Sequence, residues 1–300
     1  MILCIDIGGT AIKGATATSP SDITPLARVA TPLHDRAAFD AVIGDLLARY
    51  PQAKSVSISI AGVVDPATDK ITVANIPCID HRPLRRELEA KFGKPFLIAN
   101  DADCFALAEA TLGAAQGAPV VFGIILGTGV GGGLIVDGKI VQGAGGFAGE
   151  WGHGPIMPQV AGNPPVRIPP VTCGCGQTGC LDSWGGARGM ERVNKLLHGM
   201  DMDSTEIVRS WLQGDEKAGR TVDFLVDLVS RPLALVVNVV GANIVPVGGG
   251  LANVPELIAK IDASVRAKIL SKRDAPLVVP GLCTVEPGLI GAAIMGFANG

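Results

Sequence analysis

Ile5-Asp6-Ile7-Gly8-Gly9-Thr10 and Leu126-Gly127-Thr128-Gly129-Val130-Gly131-Gly132-Gly133 are two versions of one device. In each, an apolar strand enters a glycine turn that exposes backbone N–H groups beside a threonine hydroxyl. Such a turn suits phosphate oxygens. The second contains the spacing G-x-G-x-x-G, but a strand follows it, where a dinucleotide-binding fold would open a helix. A strand meander followed by helices occurs after each turn. The repetition predicts an α/β protein of two lobes facing across a cleft. We place the lobes at residues 1–115 and 116–288. A last helix over 289–300 packs back on the first lobe, and the second carries a loop at 149–182.

Three hundred residues suffice for two such cores, and 40 glycines imply many tight turns. Net charge is −3 with no basic block, which disfavours nucleic acid as a partner. The start, Met1 to Asp6, lacks the basic region of a secretion signal. The nearest approach to a membrane span, 233–247, is short and broken by Asn238, Gly241 and Asn243. Seven cysteines, an odd count, argue against a disulfide framework. A cytoplasmic protein is expected. Apolar periodicity predicts helices over 36–50, 84–92, 101–112, 182–197, 204–213, 216–240 with a kink at Pro232, 255–270 and 289–298. Residues 143–180 read as a long irregular segment, and loops of that length usually carry function.

Four motifs could carry chemistry. Asp6, at a strand tip before Gly8, Gly9 and Thr10 and near Lys13, could hold Mg²⁺. Gly127, Thr128 and Gly129 could hold phosphate. Asn100-Asp101 opens a helix whose dipole keeps a carboxylate ionised, as a base for a hydroxyl requires. Gly248, Gly249 and Gly250 could let a nucleotide base lie near backbone. Each also has a plain reading: a hairpin turn, a glycine bulge, a helix cap, a strand-to-helix turn.

The thiol cluster is more specific. Cys173, Cys175 and Cys180 follow His153 of Gly149-Glu150-Trp151-Gly152-His153, and three thiolates with one imidazole fill a closed structural zinc site. The alternative is a flexible loop with reduced cysteines; no C-x-x-C pair supports a redox role. A closed site has no open position, so zinc takes no direct part in chemistry. The second ring nitrogen of His153 could donate to a sugar hydroxyl. Glu150 and Asp182 flank the cluster, and converging carboxylates suit a polyol.

In this order, the motifs resemble those of the ROK family of sugar kinases, repressors and related proteins, over essentially the whole chain. The resemblance implies an actin-like, hexokinase-like ATPase fold with ribonuclease H-like lobes. It implies ATP- and Mg²⁺-dependent phosphorylation of a sugar, often by a homodimer, with Asp101 as base. Gly62, Asn75, Asn100, Asp101, Glu150, His153 and Asp182 would meet the sugar. Ala74-Asn75-Ile76-Pro77, Pro83-Leu84-Arg85 and Val247-Gly-Gly-Gly-Leu251 look most like the bacterial N-acetylglucosamine kinases. Kinases of glucose and N-acetylmannosamine share the catalytic motifs. A sugar-responsive repressor on the same fold would carry a helix-turn-helix before the first strand, and the chain starts in that strand. Two positions depart from the family pattern: Asp182 where Glu is usual, and Asp103 where Asn is commoner.

Overall fold

The computed structural model describes residues 1–298. In chain order the elements are β1 (Ile2–Ile7), β2 (Ala11–Ser19), β3 (Asp22–Ala30), α1 (Arg36–Arg49), β4 (Val56–Ile60), β5 (Val63–Val64), β6 (Ile71–Thr72), α2 (Leu84–Phe92), β7 (Phe96–Asn100), α3 (Asp101–Leu112), β8 (Val120–Leu126), β9 (Val130–Val136), β10 (Lys139–Ile140), β11 (Val160–Ala161), β12 (Val166–Arg167), α4 (Asp182–Gly185), α5 (Ala187–His198), α6 (Ser204–Leu212), α7 (Glu216–Val240), β13 (Val245–Gly248), α8 (Pro255–Arg266), β14 (Val278–Pro280) and α9 (Pro287–Ala298). They fall into two compact units. The first comprises 1–117, 133–148 and the chain from Cys283 onward; the second comprises 118–132 and 149–282. Residues 133–148 thus group with the first unit, whereas the sequence reading assigns them to the second. Gly133 lies so near the start of α3 that a Cβ there would come within 2.8 Å of Ala102 O and Asp103 Cα.

The first unit is built on a five-stranded sheet ordered β3-β2-β1-β4-β7. Strands β1, β4 and β7 run parallel, and β2 and β3 return antiparallel. Period-two alternation divides β1 between two cores. Leu3, Ile5 and Ile7 join Phe39 and Ile43 of α1 and Leu88 of α2. Ile2 and Cys4 join Leu289, Ala292 and Ala293 of α9. Each fully buried Leu, Ile or Phe among them contributes about 1.5–3 kcal/mol. Strand β3 escapes sequence reading because it is a largely exposed edge: Asp22, Thr24, Pro25 and Arg28 follow no apolar alternation, and an edge tolerates proline.

The other five-stranded sheet is ordered β10-β9-β8-β13-β14, with β13 parallel to β8 and β14. Asp137 (φ 48°) and Gly138 (φ 73°) make the predicted two-residue hairpin turn. α7 continues through Pro232 to its cap at Gly241, its buried face including Leu228, Leu233 and Val237. One helical expectation is corrected. The helix expected over 182–197 is instead two, α4 and α5, parted at Gly186. A Cβ there would stand 2.8 Å from Gly127 O. Among the described residues, no helix is long and apolar enough to cross a membrane.

Candidate active site

In the first unit the chemistry gathers at the carboxyl ends of parallel strands, where open α/β sheets usually bind ligands. Asp6 of β1 stands in register with Ser59 of β4, and Ser59 with Ala99 of β7. The next turns of chain supply Gly8–Thr10, Gly62 and Asn100-Asp101. Asn100 caps α3: its Oδ1 accepts the N–H groups of Ala102 (2.8 Å) and Asp103 (3.3 Å), and its Nδ2 donates to Gly62 O (3.1 Å). Asp101, the first helical residue, accepts Ala102 N–H at 2.9 Å. The turn at Gly8 is closed by Gly8 N–H to Ala11 O at 3.0 Å, and Thr31 Oγ1 donates to Gly8 O at 2.6 Å. Asn75 reaches this turn, since a Cβ on Gly9 would lie 3.2 Å from Asn75 Cβ.

Asp6 accepts the Ser59 hydroxyl at 2.8 Å and lies 3.6 Å from Lys13 Nζ, which also meets Glu286 Oε2 at 2.6 Å. Burial raises the Asp6 carboxyl above its ordinary range, against the lowering effects of Ser59 and Lys13. An oxygen donor held this way suits a hard cation such as Mg²⁺. Gly288 permits the packing: a Cβ there would stand 2.5 Å from Asp6 Oδ1 and 2.7 Å from Ser59 Oγ. Sequence reasoning did not single out Ser59, Glu286 or Gly288.

In the second unit one glycine turn, Gly127–Val130, gathers several neighbours. Gly249 (φ 86°) lies against it, with a Cβ there 2.5 Å from Leu126 O and 2.7 Å from Gly127 N. Gly248 stands beside Ile125 in the sheet, and Gly250 continues the turn. Trp151 packs on the same hairpin: its Nε1 donates to Gly131 O at 2.9 Å and its ring meets Phe122 edge-on. Asp182 accepts Val130 N–H at 2.8 Å. Its other oxygen lies 3.6 Å from Cys173 Sγ, so both oxygens face protein groups. Thr128 is exposed at the tip.

His153, Cys173, Cys175 and Cys180 come together, their ligand atoms all within 4.8 Å of one another. Cys173 Sγ lies 3.6 Å from His153 Nδ1, and Cys175 Sγ 3.6 Å from Cys180 Sγ. Zinc–sulfur bonds of about 2.3 Å in a tetrahedron require ligand atoms nearly that far apart. Burial pushes the Cys180 thiol up to about 12 and also raises Cys173, while Gln177 N–H draws Cys175 down to about 7. A divalent cation would supply the charge that lets the buried thiols ionise. The residues therefore fit zinc, with His153 Nδ1 toward the thiols and Nε2 3.6 Å from Glu150 Oε2. Burial raises the Glu150 carboxyl; His153 opposes the shift and Asp182 adds to it.

A family model described as ROK family matches residues 2–297. This chain belongs to the ROK family. The N-acetyl-D-glucosamine kinase of Vibrio vulnificus is 33% identical to it over 294 residues, 97% of each chain. A ROK hexokinase from Thermus thermophilus matches with a TM-score of 0.84 and 29% identity over 100% of this chain and 99% of that one. A ROK family glucokinase from Streptomyces griseus, solved with glucose and AMPPNP, matches with a TM-score of 0.77 and 28% identity over 98% of both. The ROK hexokinase-like fold expected from the motifs is the fold observed, and the clustered cysteines and His153 are compatible with the ROK zinc loop.

Proposed function

We propose that this chain transfers the γ-phosphoryl group of ATP to the 6-hydroxyl of an N-acetylhexosamine, with N-acetylglucosamine preferred. The observation that carries the reading is Asn100-Asp101, a capped carboxylate at a helix start on the strand ends that also bear Asp6 and the Gly8–Thr10 turn. The extent of identity to a kinase of that sugar supports the substrate.

Asp101 accepts the O6 proton as oxygen attacks the γ-phosphorus. The O6–P bond forms, the bond from phosphorus to the β,γ-bridging oxygen breaks, and ADP leaves. The start of α3 is a position where a helix dipole favours a carboxylate's charge. Gly8, Gly9, Thr10, Gly127, Thr128 and Gly129 donate to phosphate oxygens, and Lys13 offsets their charge. Gly248, Gly249 and Gly250 give the nucleotide base a path close to backbone. Asp6 would hold Mg²⁺, which would supply positive charge against that developing on the transferred phosphoryl group. Gly62, Asn75, Asn100, Glu150 and His153 receive sugar hydroxyls. Zinc braces the stretch that bears Glu150 and His153. The reading includes a cytoplasmic location, as the cysteine usage suggests, and a homodimer, as the family resemblance implies. The glucose-bound relative keeps glucose as the second reading of the substrate.

The test is the product. With ATP, Mg²⁺ and N-acetylglucosamine, proton–phosphorus correlation should couple the new phosphorus to the C6 protons. Coupling to the anomeric proton, or no phosphosugar, would contradict the reading.

A further inference from the structure

The segment after the last cysteine is the mount of the second phosphate turn. Asp182 Oδ1 accepts Val130 N–H at 2.8 Å. Ala187 N–H donates to Gly127 O at 2.8 Å, and Arg188 N–H to Thr128 O at 3.4 Å. A Cβ on Gly129 would overlap Asp182 Oδ1, and one on Gly186 would stand 2.6 Å from Gly129 O. Every residue of the turn from Gly127 to Val130 thus meets the mount. The same carboxylate faces the thiol cluster, with Oδ2 3.6 Å from Cys173 Sγ. Asp182 N–H donates to Gly152 O at 2.9 Å, one residue before His153.

We propose that Asp182 is a positioning residue that couples occupancy of the Cys₃His site to the phosphate turn, so that bound zinc tightens nucleotide binding. Glycines at 127 and 129 give the turn many conformations when free. A cation held by His153 and Cys180 would fix Gly152, whose carbonyl accepts Asp182 N–H, and the chain two residues before Asp182, whereas Cys173 bound as thiolate would no longer donate to Oδ2. Asp182 in turn fixes the Gly129–Val130 peptide. A turn already in its binding shape loses less entropy on taking phosphate. The one methylene that separates Asp from the usual Glu is what keeps this side chain against Val130 N–H instead of reaching a sugar hydroxyl. The inference rests on the reading that Gly127–Gly129 holds nucleotide phosphate.

The experiment is calorimetric titration of AMPPNP with Mg²⁺, and separately of N-acetylglucosamine, into zinc-loaded and chelator-stripped protein. Asp182→Ala should weaken AMPPNP about tenfold, as loss of a charged acceptor implies, and change sugar affinity less than about twofold. Asp182→Asn keeps an oxygen for Val130 N–H and should stay near wild type; Asp182→Leu, of similar bulk, replaces the alanine variant if that one fails to fold. Stripping zinc should weaken AMPPNP in the wild type and change little in Asp182→Ala. The inference is overturned if the variant loses sugar affinity instead, or if stripping weakens AMPPNP equally in both proteins. Zinc-loaded wild type that binds no AMPPNP would overturn the kinase reading itself, and this inference with it.

Discussion

Asp101 owes its proposed role to two local facts: it is the first residue of α3, and Asn100 has already taken the cap. A helix N-terminus favours negative charge at such a position. Asp101→Asn retains size and polarity but cannot take the proton. Turnover should fall about 10²–10⁴-fold with sugar affinity close to wild type. Steady-state rates paired with sugar titration check this, and near-wild-type turnover would remove Asp101 as base. Such residues are legible in sequence because their neighbours are their context: Asp6-Ile-Gly-Gly-Thr10 and Asn100-Asp101 each lie within one turn. Ser59 and Glu286 are not legible, because they meet Asp6 and Lys13 across 53 and 273 residues. Asp182 was legible as a residue of interest, but its partners were not.

The loop from β5 through β6 to α2 carries Asn75, and its shape depends on one buried acid. Asp69, at φ 60°, meets Arg85 Nε at 2.7 Å, Arg85 Nη2 at 2.8 Å and Arg86 Nε at 2.6 Å. Val73 N–H donates to Asp80 Oδ1 at 3.0 Å farther along. The Arg85 guanidinium holds the Asp69 carboxyl below its ordinary value. A depressed carboxylate adds stability that is complete above its unfolded pKa of about 3.9 and is lost as pH falls through the lower folded value. Asp69→Asn tolerates the left-handed backbone and should destabilise by about 1–2 kcal/mol at pH 7, since both arginines are partly solvated. The gap between the urea midpoints of the two proteins should be narrower near pH 3 than at pH 7; an equal gap at both would contradict the ion-pair account. At this scale the amphipathic α2 and the capped α3 could be read from sequence. Strand β3, polar and at an edge, and the break at Gly186, imposed by the carbonyls of a distant turn, could not.

Across the molecule, the repeated glycine turn predicts two α/β units, and two units are present. Their boundaries were less legible, because the chain passes between them after 117, 132, 148 and 282, whereas composition changes little at those points. The second glycine stretch itself is divided, with Gly132 in one unit and Gly133 in the other. One unit bears Asp6, Asn100 and Asp101; the other bears the Gly127–Gly129 turn, Glu150 and the thiol cluster that fits zinc. The proposed transfer requires that ATP turnover depend on sugar. The most direct measurement is the initial rate of ADP release with N-acetylglucosamine, N-acetylmannosamine, glucose and fructose, each against a sugar-free control. The account expects sugar-dependent release with the highest kcat/KM for N-acetylglucosamine; release that no sugar stimulates would contradict it.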